Sequence, residues 1–213
     1  MKLGVLMLDT RFPRLPGDIG NPASFSCAVE YEVVRCASVA RLVAAEPDPA
    51  LLDAFVNAGR SLIARGCNLI TTSCGFLVLW QAPLARALTV PVFASSLLLL
   101  PRLPDAGVLT FDPATLGRTH LAAAGASTDT PLEGLRPQDS LYRTIAEDRT
   151  ELDKATAEIE VIAAGRRLLR RAPNIRSIVL ECTNFGPYRG ALAESLGLPV
   201  YGIVEALTDP TFQ

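Results

Sequence analysis

Residues 68 to 93, "NLITTSCGFLVLWQAPLARALTVPVF", lie over residues 176 to 201, "RSIVLECTNFGPYRGALAESLGLPVY", at a constant offset of 108 and without a gap. Cys74 falls on Cys182, Leu84-Ala85 on Leu192-Ala193, Leu88 on Leu196 and Pro91-Val92 on Pro199-Val200. Shared apolar positions are cheap, because strands and helices everywhere carry similar patterns. Two cysteines in register, each followed 17 residues later by Pro-Val, are not. A second match sets "LGVLMLDT" (3–10) on "AGVLTFDP" (106–113), at an offset of 103. Self-similarity at a fixed offset is the mark of a repeated structural unit, so two similar lobes are expected.

Within each unit, short Val, Ile and Leu runs alternate with longer helical patterns, which is the signature of a parallel sheet covered by helices. The expected class is therefore α/β. Strands are expected at 2–8, 68–73, 91–94, 106–111, 176–181 and 199–203. Helices are expected near 28–45, 48–65, 76–88, 113–124, 150–171 and 185–196, with Asp112-Pro113 supplying an N-cap and a first-turn proline. Residues 1–103 with 203–213 would form the first lobe and 104–202 the second. The segment "TRFPRLPGDIGNPASF" (10–25) is too rich in proline and glycine for a regular element and is expected to be a functional loop. Residues 126–150 are a polar connector.

Composition narrows the function. The chain has 213 residues, 20 basic and 22 acidic, for a net charge of -2. The one basic block, "GRRLLRR" (165–171), fits the solvated face of a helix, and nucleic acid is not an expected partner. The opening apolar run ends in Asp9 and Arg11, as a first strand does and a secretory leader does not. "VPVFASSLLLLP" is broken by Ser95 and Ser96 and falls short of the roughly 20 residues of a membrane helix. A cytoplasmic protein without a membrane partner is expected. Five cysteines (27, 36, 67, 74, 182) contain no CxxC pair, and His120 stands alone, so neither a metal centre nor a disulfide scaffold is expected. Cys27, Cys36 and Cys67 lie in apolar contexts that fit packing. With neither a GxGxxG nor a Walker loop, no cofactor is expected.

Cys74 and Cys182 both stand where a strand's carboxyl end turns into a helix, the edge at which open α/β sheets bind ligands. Unpaired N–H groups of the first helical turn can hold a carboxylate there, and the same field can bring a thiol from roughly 8.5 toward neutral pH. Two lobes closing on a small substrate would place one sulfur on each face, the geometry that takes a proton from one side and returns one to the other. This predicts a racemase or epimerase. Glu181 either orients a neighbour and tunes the thiol or is turned away by strand alternation.

At these residues the chain resembles a known family. "TTSCGF" (71–76) and "LECTNFGPY" (180–188) look like the two cysteine motifs of the aspartate/glutamate racemase superfamily, which also holds hydantoin racemases, maleate isomerases and arylmalonate decarboxylases. Asp9-Thr10 looks like the Asp-Ser pair that ends the first strand of glutamate racemases. The resemblance implies two pseudo-symmetric Rossmann-like lobes with the active site in the cleft between them, a homodimer, and no pyridoxal phosphate. Cys74 and Cys182 would be the paired acid and base of a cofactor-independent racemase acting on aspartate, glutamate or a cyclic derivative. Ser73, Gly75, Phe76, Thr183 and Asn184 would hold the substrate carboxylate, and Arg14, Asp18 and Asn21 of the long loop its distal group or amine. Two departures stand out: Cys74-Gly75-Phe76 replaces the common Cys-Asn-Thr, and Cys182-Thr183-Asn184 the common Cys-Thr-His. The competing expectations are a cysteine-dependent isomerase or decarboxylase of the same superfamily, and a carboxylate-binding protein without catalysis.

Overall fold

The sequence repeat folds as a structural repeat. The computed structural model describes residues 1–209 and Thr211. Its first half runs β1 (Lys2–Leu8), β2 (Ala28–Val34), α1 (Val39–Leu42), α2 (Leu52–Ala64), β3 (Leu69–Thr72), α3 (Gln81–Ala87) and β4 (Val92–Phe93). Its second half runs β5 (Ala106–Thr110), α4 (Arg118–Ala123), β6 (Leu132–Gly134), α5 (Ser140–Ala146), α6 (Lys154–Arg171), β7 (Ser177–Leu180), α7 (Arg189–Leu196), β8 (Val200–Tyr201) and α8 (Ile203–Thr208). The strands form two four-stranded parallel sheets of the same order, β2-β1-β3-β4 and β6-β5-β7-β8. Even the register repeats: Leu3 pairs with Leu69, and their counterparts Ala106 and Ser177 pair likewise. The central strands are apolar and fully buried, as a sheet covered on both faces requires.

Two of the four edge strands, β2 and β6, depart from expectation. Residues 28–34 form β2 and not the start of a helix, and only Val39–Leu42 of the expected 28–45 segment is α-helical. "AVEYEVV" alternates β-branched and aromatic residues with glutamates at period two, which favours a half-covered strand over a helix. β2 pairs with β1 alone and is largely half-exposed, so it lacks the continuous apolar run that marks the inner strands. β6, inside the expected connector, is only three residues long. The helix expected from 113 starts at Arg118, because Asp112 closes a tight turn instead: its carboxylate accepts Ala114 N–H (3.0 Å) and Thr115 Oγ1–H (2.8 Å). The "GRRLLRR" stretch ends α6, with Leu168 buried, while Arg167 and Arg171 pair with Glu133 of β6.

Each lobe lends its last helical segment to the other. After β4, a 3-10 helix at Ser96–Arg102 packs on β7, and Ser96 Oγ donates to the Leu180 carbonyl (2.6 Å). After β8, α8 returns to the first lobe and buries Ile203 and Leu207 with Leu3, Val5 and Met7 of β1. This exchange fixes the lobes face to face along the carboxyl ends of their strands. Among the described residues no helix is long and apolar enough to cross a membrane.

Candidate functional site

The equivalent strands β3 and β7 end one residue short of equivalent polar positions. At Ser73 and Glu181 the backbone is still held in the sheet, Ser73 N–H donating to Leu6 O (3.0 Å) and Glu181 N–H to Leu109 O (2.8 Å). Cys74 and Cys182 follow, each as the N-cap of a 3-10 helix (Gly75–Trp80 and Thr183–Tyr188) that continues into α3 or α7. The repeat therefore brings both thiols to one cleft. The cleft encloses about 350 Å³ of empty space, part of it open to solvent, and includes Arg14, Ser73, Cys74, Gly75, Phe76, Glu181, Cys182, Thr183 and Asn184 in its lining. The remaining wall is apolar: Leu8, Phe12, Val39, Val43, Phe111 and Ile145.

The thiols are held differently from expectation. Both are buried, 7% exposed at Cys74 and 6% at Cys182. Burial and the Glu181 carboxylate push Cys74 up to about 12, against the pull of the Phe76 and Leu77 N–H groups. Cys182 is likewise raised well above the ordinary thiol range by burial and Glu181, with Asn184 N–H opposing. The helix-end field that should have lowered both is outweighed by desolvation next to a second anion. Cys182 Sγ–H points at Asn184 Oδ1 (3.6 Å).

Glu181, left open by strand alternation, faces the cleft. It is 2% exposed and accepts Thr110 Oγ1–H (2.6 Å) together with the Phe111 and Phe76 N–H groups. Burial raises it to about 7 in spite of those donors. A Cβ at Gly75 would overlap both the Glu181 carbonyl oxygen and its Oε1, so the backbone and the side chain at 181 both require this glycine. The two unusual residues are one feature.

The long loop supplies the cleft's cation. Arg14 donates to Asp18 (3.1 Å) and to Thr10 Oγ1 (3.1 Å), and lies 4.4 Å over the Phe12 ring. Asp18 is 1% exposed and also accepts Gly20 N–H (2.7 Å) and Asn184 Nδ2–H (2.7 Å). Burial raises its pKa, with Arg14 the main opposing influence. A continuous chain of contacts thus runs from Cys182 through Asn184 and Asp18 to Arg14.

Other expected contacts are used internally. Ser73 Oγ accepts Leu8 N–H (2.9 Å), and Thr183 Oγ1 donates to Ser73 O (3.0 Å), tying the lobes together. Asn21 caps a turn, taking Ala23 N–H (2.9 Å) and donating to Arg14 O (2.7 Å), outside the cleft. Asp9 is exposed and accepts Cys36 N–H (3.1 Å). Phe12, Phe111, Val39, Val43 and Ile145 were not anticipated. Of these only Phe111 carried a signal, since the repeat sets it on Leu8, which lines the same cleft. Cys67 is buried, Cys27 half-buried and Cys36 exposed. His120 is fully buried behind Phe76, which it meets edge-on at 5.0 Å, and burial lowers its pKa.

No family model matches the chain. A dimethylsulfoniopropionate lyase of Durusdinium sp. clade D is 29% identical over 95% of this chain and 71% of its own length. Dimethylsulfoniopropionate lyases 7 and 3 of Emiliania huxleyi (strain CCMP1516) are each 29% identical, over 95% and 93% of the chain. The chain spans only 64% and 56% of those two relatives. These names overturn the expectation of an amino-acid racemase: the curated relatives are lyases, and an isomerase class does not stand. Solved structures of the same shape include the allantoin racemase of Klebsiella pneumoniae (TM-score 0.66, 17% identity, 96% of this chain and 83% of that one). They also include arylmalonate decarboxylase (0.65, 14%, 94% and 86%) and the glutamate racemase of Aquifex pyrophilus (0.56, 17%, 97% and 81%). In its two parallel-sheet lobes, with paired cysteines at matching strand ends, the chain has the fold of the aspartate/glutamate racemase superfamily.

Proposed function

We propose that the chain is a lyase that eliminates a dialkyl sulfide from a β-sulfonio carboxylate, dimethylsulfoniopropionate being the substrate to test first. The observation that carries this reading is the likeness to lyases of that name along nearly the whole chain. A mostly apolar cleft supports it, since a methylated sulfur needs van der Waals walls where an amino group needs acceptors. Arg14 keeps N–H groups beyond those given to Asp18 and Thr10, and takes the substrate carboxylate.

The chemistry follows from one thiolate. It takes a proton from the carbon beside the carboxylate, the freed electron pair becomes the carbon-carbon double bond, and the carbon-sulfur bond breaks with its electrons on sulfur. Acrylate and neutral dimethyl sulfide result, and the thiol returns its proton to solvent. Both thiols rest protonated, and a cationic substrate offsets the cost of ionising one beside Glu181. Elimination needs a single base, unlike racemisation. The test is incubation with dimethylsulfoniopropionate, following dimethyl sulfide in the headspace and acrylate by proton NMR, with Cys74→Ser and Cys182→Ser alongside. Release of both products is expected, with losses in the two variants that differ by about 100-fold or more. No acrylate above a heat-killed control overturns the reading, and equal abolition in both variants overturns the one-base mechanism.

A further inference from the structure

We infer that Glu181 is the counter-charge for the substrate's onium group, and that it makes the cleft select a cation over a neutral group of the same shape. The identity of that onium group rests on the elimination reading. The role of the glutamate stands on the site itself.

Arg14 and Glu181 are the charged residues in the lining described above, and they are not equally provided for. Arg14 has Asp18 as its anion. Glu181 is met by neutral donors, the Thr110 hydroxyl and two N–H groups, and no ion pair forms on it among the described residues. A buried carboxylate without a cation is costly, so its retention calls for a task.

The pseudo-symmetry shows that capping the strand end does not call for a charge. Ser73 occupies the equivalent place in the first lobe, and its hydroxyl accepts the N–H of Leu8, the counterpart of Phe111. A hydroxyl is therefore sufficient to cap that strand end. Glutamate adds a longer arm and a charge, and both its carboxylate and its backbone carbonyl lie where a Cβ on Gly75 would stand. The walls beside it suit an onium ion. Phe12, Phe76 and Phe111 line the same cleft, and one face of Phe12 already carries the Arg14 guanidinium at 4.4 Å. Aromatic faces and a desolvated carboxylate together distinguish a methylated cation from its uncharged isostere, which fills the same volume and gains neither attraction. They also disfavour a dicarboxylate such as aspartate, whose second carboxylate would meet Glu181.

Two acids of one shape test this, 3-(trimethylammonio)propanoate and its uncharged isostere 4,4-dimethylpentanoate, neither of which has a sulfide to lose. Binding of each to wild type and to Glu181→Gln is measured by calorimetry from pH 6 to pH 8. Wild type is expected to bind the cation about 10-fold or more tightly than the isostere at pH 8. That preference should shrink toward pH 6 as Glu181 is protonated around 7. The groups around Glu181 are Asp112 after β5, Cys74 after β3, neighbouring Cys182 and Arg14 of the loop, with Asp18 beyond them acting on Cys182. A flat profile in Glu181→Gln, with the isostere bound as in wild type, assigns the pH dependence to Glu181.

A preference that survives in Glu181→Gln, no preference in wild type, or binding of neither acid overturns the inference. If the variant fails to fold, the wild-type profile decides, a pH-independent preference being the overturning result. The two readings fail separately. No acrylate with a Glu181-dependent cation preference sinks the elimination alone, whereas acrylate release without that preference sinks the role of Glu181 alone.

Discussion

Ser73 and Glu181 occupy the same place in two copies of one scaffold and make it chemically lopsided. The serine finishes a strand; the glutamate finishes a strand and also leaves a carboxyl group at about 7 against both thiols. A carboxyl whose folded pKa lies above its unfolded value of about 4.5 binds more protons in the folded state between those two values. Its contribution to stability is complete below the unfolded value and is lost as pH rises through the folded one. Glu181→Gln copies the protonated form without the titration. The thermal midpoints of wild type and Glu181→Gln should therefore agree near pH 4.5 and separate as pH rises to 7.5, with the variant the more stable. A constant gap across that range would mean that Glu181 does not titrate in the fold. Both cysteines were legible because they are rare and in register, and the alignment that found them also set Glu181 on Ser73. Its direction was not legible, since β7 ends at Leu180 and Glu181 stands where the strand turns into the next helix, held in the sheet through its N–H. The same gap hid Gly75, whose missing side chain makes sense only once the Glu181 backbone carbonyl and carboxylate are seen against it.

At the scale of elements, inner strands and long helices followed their patterns, while the edge strands β2 and β6 did not. β1, β3, β5 and β7 are buried on both faces and announce themselves as apolar runs, whereas β2 and β6 owe their state to one neighbour each. The loop between β1 and β2 was recognisable as exceptional from Pro13, Pro16 and Pro22, but its fold depends on the buried carboxylate of its own Asp18. Asp18 holds Arg14, Gly20 and Asn184 at once, so it joins the loop to the turn after Cys182. Asp18→Asn removes the anion bonded, alone among the described residues, to a guanidinium that is 13% exposed, leaving a nearly buried cation unpaired. Breaking such a pair from one side costs about 3 kcal/mol or more, since the remaining charge keeps its desolvation penalty. Urea unfolding should show this as a lowered midpoint with an unchanged slope. A loss below about 1 kcal/mol would place the pair among screened surface contacts.

For the whole molecule, duplication explains why two thiols meet, and the exchanged helical segments explain why the lobes stay closed upon them. The Ser96–Arg102 segment of the first lobe covers β7, and α8 covers β1, so each sheet is completed by chain from the other side. Neither lobe can expose its sheet to water without losing a layer of apolar contacts that the partner lobe supplies. The lobes should then unfold as one unit. Trp80, the single tryptophan, lies in the first lobe edge-on to Phe55 at 5.3 Å, so its fluorescence follows that lobe, while far-UV circular dichroism follows both. The two signals should trace one coincident urea transition, the behaviour of a cooperative fold. Ser96→Ala, which removes the hydrogen bond to Leu180, should move both curves together by about 1 kcal/mol. A fluorescence transition that separates from the dichroism curve, in wild type or in the variant, would show that the lobes fold independently and that the exchanged segments do not couple them.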